Sequence, residues 1–115
     1  MRFVPTDDEF VTMEMEIGPT NRQHMGIVHG GAYLSLAETA AGAGSLHVAG
    51  MAAGVCGIEV SGNHVAMSPT EGRVTARASL ITAGHTIHVW NVDCTDEAGN
   101  LLSTVRVVNR ILMKN

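Results

Sequence analysis

Between Arg22 and Glu59 the chain carries one Asp, Glu, Lys or Arg side chain, Glu38, set in a run of small and apolar residues. No other feature limits the fold as much. From about Gly30 to Val48 the run is too long for a strand and rich in Ala and Leu, so it predicts a helix despite its glycines. Ala32, Ala37, Ala40, Ala41, Gly42, Ala43 and Gly44 would make that helix slim, and such a helix is expected to be buried, with a sheet close on more than one side. Gly42 and Gly44 cost roughly 1 kcal/mol each against Ala in a helix interior. Close packing or ligand access would justify that cost.

Strand signals surround the helix. "FVTMEMEIG" alternates Val11, Met13, Met15 and Ile17 with Thr12, Glu14 and Glu16, the period of a half-exposed strand. "VCGIEVSGNHVAM", "GRVTARASLIT", "HTIHVWNVDCTD" and "LLSTVRVVNRILM" are rich in β-branched residues. The turn signals "SPTEG", "AG" and "DEAGN" separate them as short antiparallel connections would. One strand, a helix and then a four-strand meander make an α+β layout, packed as a curved antiparallel sheet wrapped around one helix. At 115 residues, a single domain over 1–115 is the expectation.

Composition excludes several function classes. A net charge of -4 and a pI near 5.8 argue against a nucleic-acid partner, which calls for a basic patch. The charged fraction of 16% is low, which suggests that a partner subunit covers part of the surface. Cys56 and Cys94 are too few and too far apart for a disulfide scaffold or a C-x-x-C site. "MRFVPTDDEF" places acidic residues where a signal peptide needs an apolar stretch, so a cytoplasmic location is expected. The segment 26–58 is apolar enough to suggest a membrane span, but Glu38, His29, His47 and its glycines argue against one. The six histidines lack a carboxylate or Cys set at ligand spacing, so neither a metal nor another cofactor is expected.

Chemistry then rests on Glu38. Most Glu residues are solvated, and a helix edge would suit that. A partly desolvated carboxylate, by contrast, is suited to general-base or nucleophilic work. His29-Gly30-Gly31 stands where the chain would enter the helix, and amides at a helix N-terminus favour negative charge. The glycines would let a substrate carbonyl approach those amides. No serine-hydrolase elbow G-x-S-x-G occurs. Trp90 and Tyr33 are expected to be packing residues.

Asn21, Gly26, His29, Gly30, Gly31, Leu36, Ala37, Glu38 and Thr39 together resemble "N-x-x-x-x-G-x-x-H-G-G-x-x-x-x-L-A-E-T" of the hotdog-fold acyl-CoA thioesterases. The branch is that of the Arthrobacter-type 4-hydroxybenzoyl-CoA thioesterase and the EntH-like and PaaI-like enzymes. The resemblance spans about residues 15 to 110 and implies hydrolysis of an acyl-CoA with an aromatic or a short- or medium-chain acyl group. Glu38 would be nucleophile or general base, and the Gly30 amide would polarise the thioester carbonyl. Gln23 would help orient that carbonyl, with His29 beside it. Substrate and CoA contacts would come from Gly31, Gly42, Asn63, His64, Gly84, His85 and Thr86. The resemblance further implies a homodimer with shared sites, assembled into a homotetramer. Acyl-carrier-protein thioesters as substrates, and a non-catalytic acyl-CoA binding or regulatory module, are the alternatives.

Overall fold

The computed structural model describes residues 1–4, 10–50 and 52–112. The acidic stretch Asp7-Asp8-Glu9 and the last residue of the final strand signal, Met113, lie outside them. The strands are β1 (Arg2–Val4), β2 (Phe10–Glu16), β3 (Gly54–His64), β4 (Arg73–Ala83), β5 (Ile87–Thr95) and β6 (Leu101–Leu112). One helix, α1 (Gly30–Ala49), stands between β2 and β3. All strand pairs are antiparallel, in the order β1-β2-β4-β5-β6-β3, and α1 packs against β2, β3, β4, β5 and β6. The sheet-around-helix layout read from the sequence is present.

The expected four-strand meander is not. Of its four strands β4, β5 and β6 follow one another as neighbours, while β3 leaves β4 and lies at the far edge beside β6. The strand ends at His64 rather than running on to Met67, and residues 65–67 together with "SPTEG", 68–72, read as a short turn, form a crossing: Val65 N donates to Leu102 O at its start and Ile17 N donates to Gly72 O at its end. A hairpin needs only two to five residues, and this longer segment frees β3 to pair elsewhere. β1 is an additional strand, too short to leave a periodic signal.

The helix also departs from expectation, because only one of its faces is buried. Tyr33, Leu36, Ala37, Ala40, Ala41, Gly44 and Ser45 lie inward, a stripe spaced to cover the sheet. Gly31, Ser35, Glu38, Thr39, His47 and Val48 are exposed in the isolated chain. The inward stripe meets Val74, Ala76, Ala78, Trp90, Val92, Val105 and Val107 in one core. Gly44 is there for packing, since a Cβ at that position would overlap the Trp90 indole. Gly42 answers no such need, for its Cβ would meet nothing within 4 Å.

β3 is an unpaired edge. Beyond Val55 and Val60 its residues are exposed, Ile58 among them. A long, flat edge strand with free backbone groups is a template for pairing with another chain. Among the described residues, no helix is long and apolar enough to cross a membrane.

Candidate active site

The loop before α1 is tied down by its own amides. Asn21 Oδ1 accepts from Gly18 N at 2.9 Å, Asn21 Nδ2 donates to Glu16 O at 2.7 Å, and His29 N donates to Asn21 O at 2.6 Å. Gly26 turns the chain with φ 90°, a left-handed conformation that favours glycine. Val28 N donates to the Ser68 hydroxyl at 2.7 Å, and Ser68 donates to Pro69 O at 2.8 Å. The loop is thereby fixed to the crossing segment.

His29 is the N-cap of α1. Its Nδ1 accepts from Gly31 N at 3.2 Å, a task usually given to Ser, Thr, Asp or Asn. The proton of the neutral ring therefore sits on Nε2. Gln23 is oriented in a similar way. Its side-chain oxygen accepts from Met25 N, which leaves its NH2 group to donate outward.

His64 closes the other side. Its Nδ1 lies 2.8 Å from Ser103 Oγ, its ring is 5.3 Å from the Tyr33 ring, and a Cβ on Gly30 would come within 2.8 Å of its Nε2. Together these residues line a cleft of about 580 Å³ whose floor and rim are Gln23, His29, Gly30, Tyr33, His64 and Ser68. Burial pushes the Tyr33 phenol above its ordinary value, and its Oη lies beside Ser68 without completing a hydrogen bond. A second cleft of about 570 Å³ lies between β2 and α1, lined by Arg2, Glu14 and Ser35. Neither Gly30 nor Gln23 lines it, and Glu14 and Glu16 make it acidic, so the first cleft is the better place for a carbonyl.

Glu38 stands apart from that cleft. Gly30 and Glu38 are eight positions apart on one helix, a rise of about 12 Å, which is too far for both to touch one carbonyl group. The carboxylate lies over Gly57 of β3, and a Cβ there would overlap it. Gly57 stands at an irregularity in the β3–β6 register, where the strand can move away from the helix. Nothing in the residue order signals this, because the glycine looks like any other weak point of a strand. Gly42, one turn after Glu38, faces open space.

The remaining sequence candidates separate. Gly31 is exposed in the first turn of α1, and its amide is used by His29. Asn63 is exposed beside His64 but is not among the cleft residues. Gly84, His85 and Thr86 form the β4–β5 turn, where Thr86 O accepts from Ile111 N at 2.8 Å. Ser103, the partner of His64, is eight residues from Ile111 on β6, so this turn lies roughly 27 Å from the cleft within one chain. Sequence reading missed Ser103 and Gly57 as neighbours of the site, since their proximity depends on sheet register, and it took Tyr33, one helical turn after Gly30, as a packing residue alone.

A helix entered through His-Gly-Gly and wrapped by a curved antiparallel sheet, with a carboxylate on its open face, defines a hotdog-fold hydrolase. Residues 25–103 match the family model described as Thioesterase superfamily, and the chain belongs to that superfamily. It is 34% identical over 113 residues to 1,4-dihydroxy-2-naphthoyl-CoA hydrolase of Escherichia coli, covering 97% of this chain and 82% of that protein. It is 36% identical over 94 residues to 1,4-dihydroxy-2-naphthoyl-CoA hydrolase of Listeria monocytogenes, covering 82% of this chain and 76% of that protein. Among solved structures, a mutant thioesterase from Pseudomonas aeruginosa superposes with a TM-score of 0.92 at 31% identity, covering 96% of this chain and 80% of that one.

Proposed function

We propose that this protein is a cytoplasmic acyl-CoA thioesterase, working on an aromatic or a short- or medium-chain acyl group, whose site is completed by a second copy of the chain. The observation that carries this reading is the separation of Glu38 from the Gly30 amide along one rigid helix. One copy offers the carbonyl site, made of the Gly30 amide and the NH2 group of Gln23, at the mouth of the cleft. The other offers Glu38. The bare edge of β3, beside the exposed face of α1, is a surface on which two copies could pair and bring the two halves together.

In this arrangement the thioester carbonyl oxygen takes the N–H of Gly30, and negative charge developing on it is held by the helix N-terminus. Glu38 then either attacks the carbonyl carbon or takes a proton from a water that does. The CoA thiolate leaves and is protonated; where Glu38 is the nucleophile, water then cleaves the acyl–Glu38 anhydride, and by either route the free acid is released and Glu38 is regenerated. The low positive charge around the cleft favours a substrate held chiefly by its acyl group and pantetheine arm rather than by its phosphates. The relatives named for an aromatic acyl-CoA favour an aromatic acyl group.

The test is thiol release across a panel of aromatic, short-chain and medium-chain acyl-CoAs, with light scattering on the same sample. Turnover of at least one acyl-CoA by a dimer or tetramer supports the reading. A monomer at micromolar concentration, or tight binding without release, contradicts it.

A further inference from the structure

We propose that Ser103 is a positioning residue of the hydrolysis: its buried hydroxyl fixes the tautomer and direction of His64, so that the imidazole presents Nε2–H beside the Gly30 amide. This rests on the proposed function, in which the thioester carbonyl lies at Gly30. Ser103 and His64 face each other in the β3–β6 register, and Ser103 is fully buried. Among the described residues, His64 Nδ1, at 2.8 Å, is the partner of the Ser103 hydroxyl.

A buried hydroxyl must place its proton on an acceptor, or the cost of the unpaired donor remains. Nδ1 is that acceptor. The neutral ring then carries its own proton on Nε2, an assignment that follows from the hydrogen bonding. The reverse arrangement, with Nδ1–H donating, would leave the serine proton without a partner in the interior. Tyr33 walls one side of the ring, at 5.3 Å between centroids and 34° between planes. The Nε2 edge faces Gly30, where a Cβ would be 2.8 Å from Nε2 and 3.0 Å from Cδ2.

The consequence is a pair of N–H donors at one spot, the main-chain amide of Gly30 and the side chain of His64. A donor aimed where charge develops is worth most when it needs no reorientation during the reaction. Ser103 supplies that fixity without touching substrate. In Ser103→Ala the imidazole would be free to rotate or to exchange tautomers, and the donor would be lost for part of the time.

The test is a double-mutant cycle on an acyl-CoA that the parent hydrolyses. Ser103→Ala is expected to lower kcat by roughly 10- to 100-fold with KM changed by less than about 2-fold, while the same substitution in a His64→Ala background is expected to change kcat by less than about 2-fold. Equal losses in both backgrounds would show that Ser103 acts by packing alone, and an unchanged kcat would show that it does not act; either overturns the proposal. Nitrogen-15 NMR of the histidine rings gives an independent readout. The parent is expected to show His64 as the Nε2–H tautomer, and Ser103→Ala to lose that preference. A parent with His64 protonated on Nδ1 overturns the assignment. If no thioester is hydrolysed, the proposed function fails on its own, and the NMR result alone decides the tautomer.

Discussion

The His64 imidazole rests so closely on Gly30 that a methyl group there would lie 2.8 Å from its Nε2. Gly30 has no left-handed φ, so alanine fits the backbone and the conflict is with the ring alone. Gly30→Ala should therefore fold, keep its amide, and displace His64 from Ser103. The expected result is a loss of about 1 kcal/mol of stability from the broken hydrogen bond and a fall in turnover of about tenfold or more. Kinetics beside a urea melt would check both, and parental turnover would show that the contact has no part in the reaction.

Two glycines of α1, two residues apart, should respond in opposite ways. Gly44→Ala drives a methyl group into the Trp90 ring and should cost about 1–3 kcal/mol by overpacking. Gly42→Ala meets open space within the chain and should gain up to about 1 kcal/mol from helix propensity. Calorimetric melts of both variants give the comparison. Equal shifts would contradict the packing described for the helix.

Stability should fall on the acid side through His88. Trp90 Nε1 and Asn109 Nδ2 donate to Ser45 Oγ at 2.8 and 3.1 Å, filling its two lone pairs, so its proton goes to His88 Nδ1 at 2.9 Å. Protonating His88 would turn that acceptor into a third donor. Burial holds the His88 imidazole below its ordinary value of 6.5. The unfolded chain then binds the proton near pH 6.5 while the folded one does not, so stability is lost as pH falls from about 6.5 toward the lower folded value. His88→Gln keeps an acceptor for Ser45 and removes the titration. Urea melts from pH 7.5 to 5.5 should show the parent losing up to about 1.4 kcal/mol per pH unit below 6.5 relative to that variant. Parallel profiles would contradict this.

The two thiols should differ in reactivity. Cys94 is fully buried, and burial, with the Asp93 charge beside it, pushes its thiol up to about 12, so its thiolate is absent at ordinary pH. Cys56 is exposed in the isolated chain. A colorimetric thiol titration at pH 8 should find Cys94 silent in the native protein and reactive once guanidinium unfolds it. Rapid reaction of both thiols in the native state would contradict the core placement of β5.

Much of this architecture is legible in the residue order. The sequence predicts a helix over about 30–48, and α1 spans Gly30–Ala49; the four long strands fall where β-branched residues cluster. Local composition carries such signals. Sheet order is not local: β3 and β4 adjoin in sequence, but β3 pairs with β6 because 65–72 is long enough to cross. The small residues of the helix predict burial all round, yet small residues on an open face look the same in sequence as those in a core. Glu38 and His29-Gly30 stand out by isolation and spacing. Ser103 does not, since its tie to His64 joins residues 39 apart and exists only in the β3–β6 register.

Glu38→Gln is the decisive variant. It keeps the size of the side chain over Gly57 and removes the nucleophile or base. With an acyl-CoA that the parent hydrolyses, its kcat is expected to fall by about 10²-fold or more, with KM and melting temperature close to the parent's. Thiol release at the parental rate by Glu38→Gln would overturn the role proposed for this carboxylate, whatever the substrate proved to be.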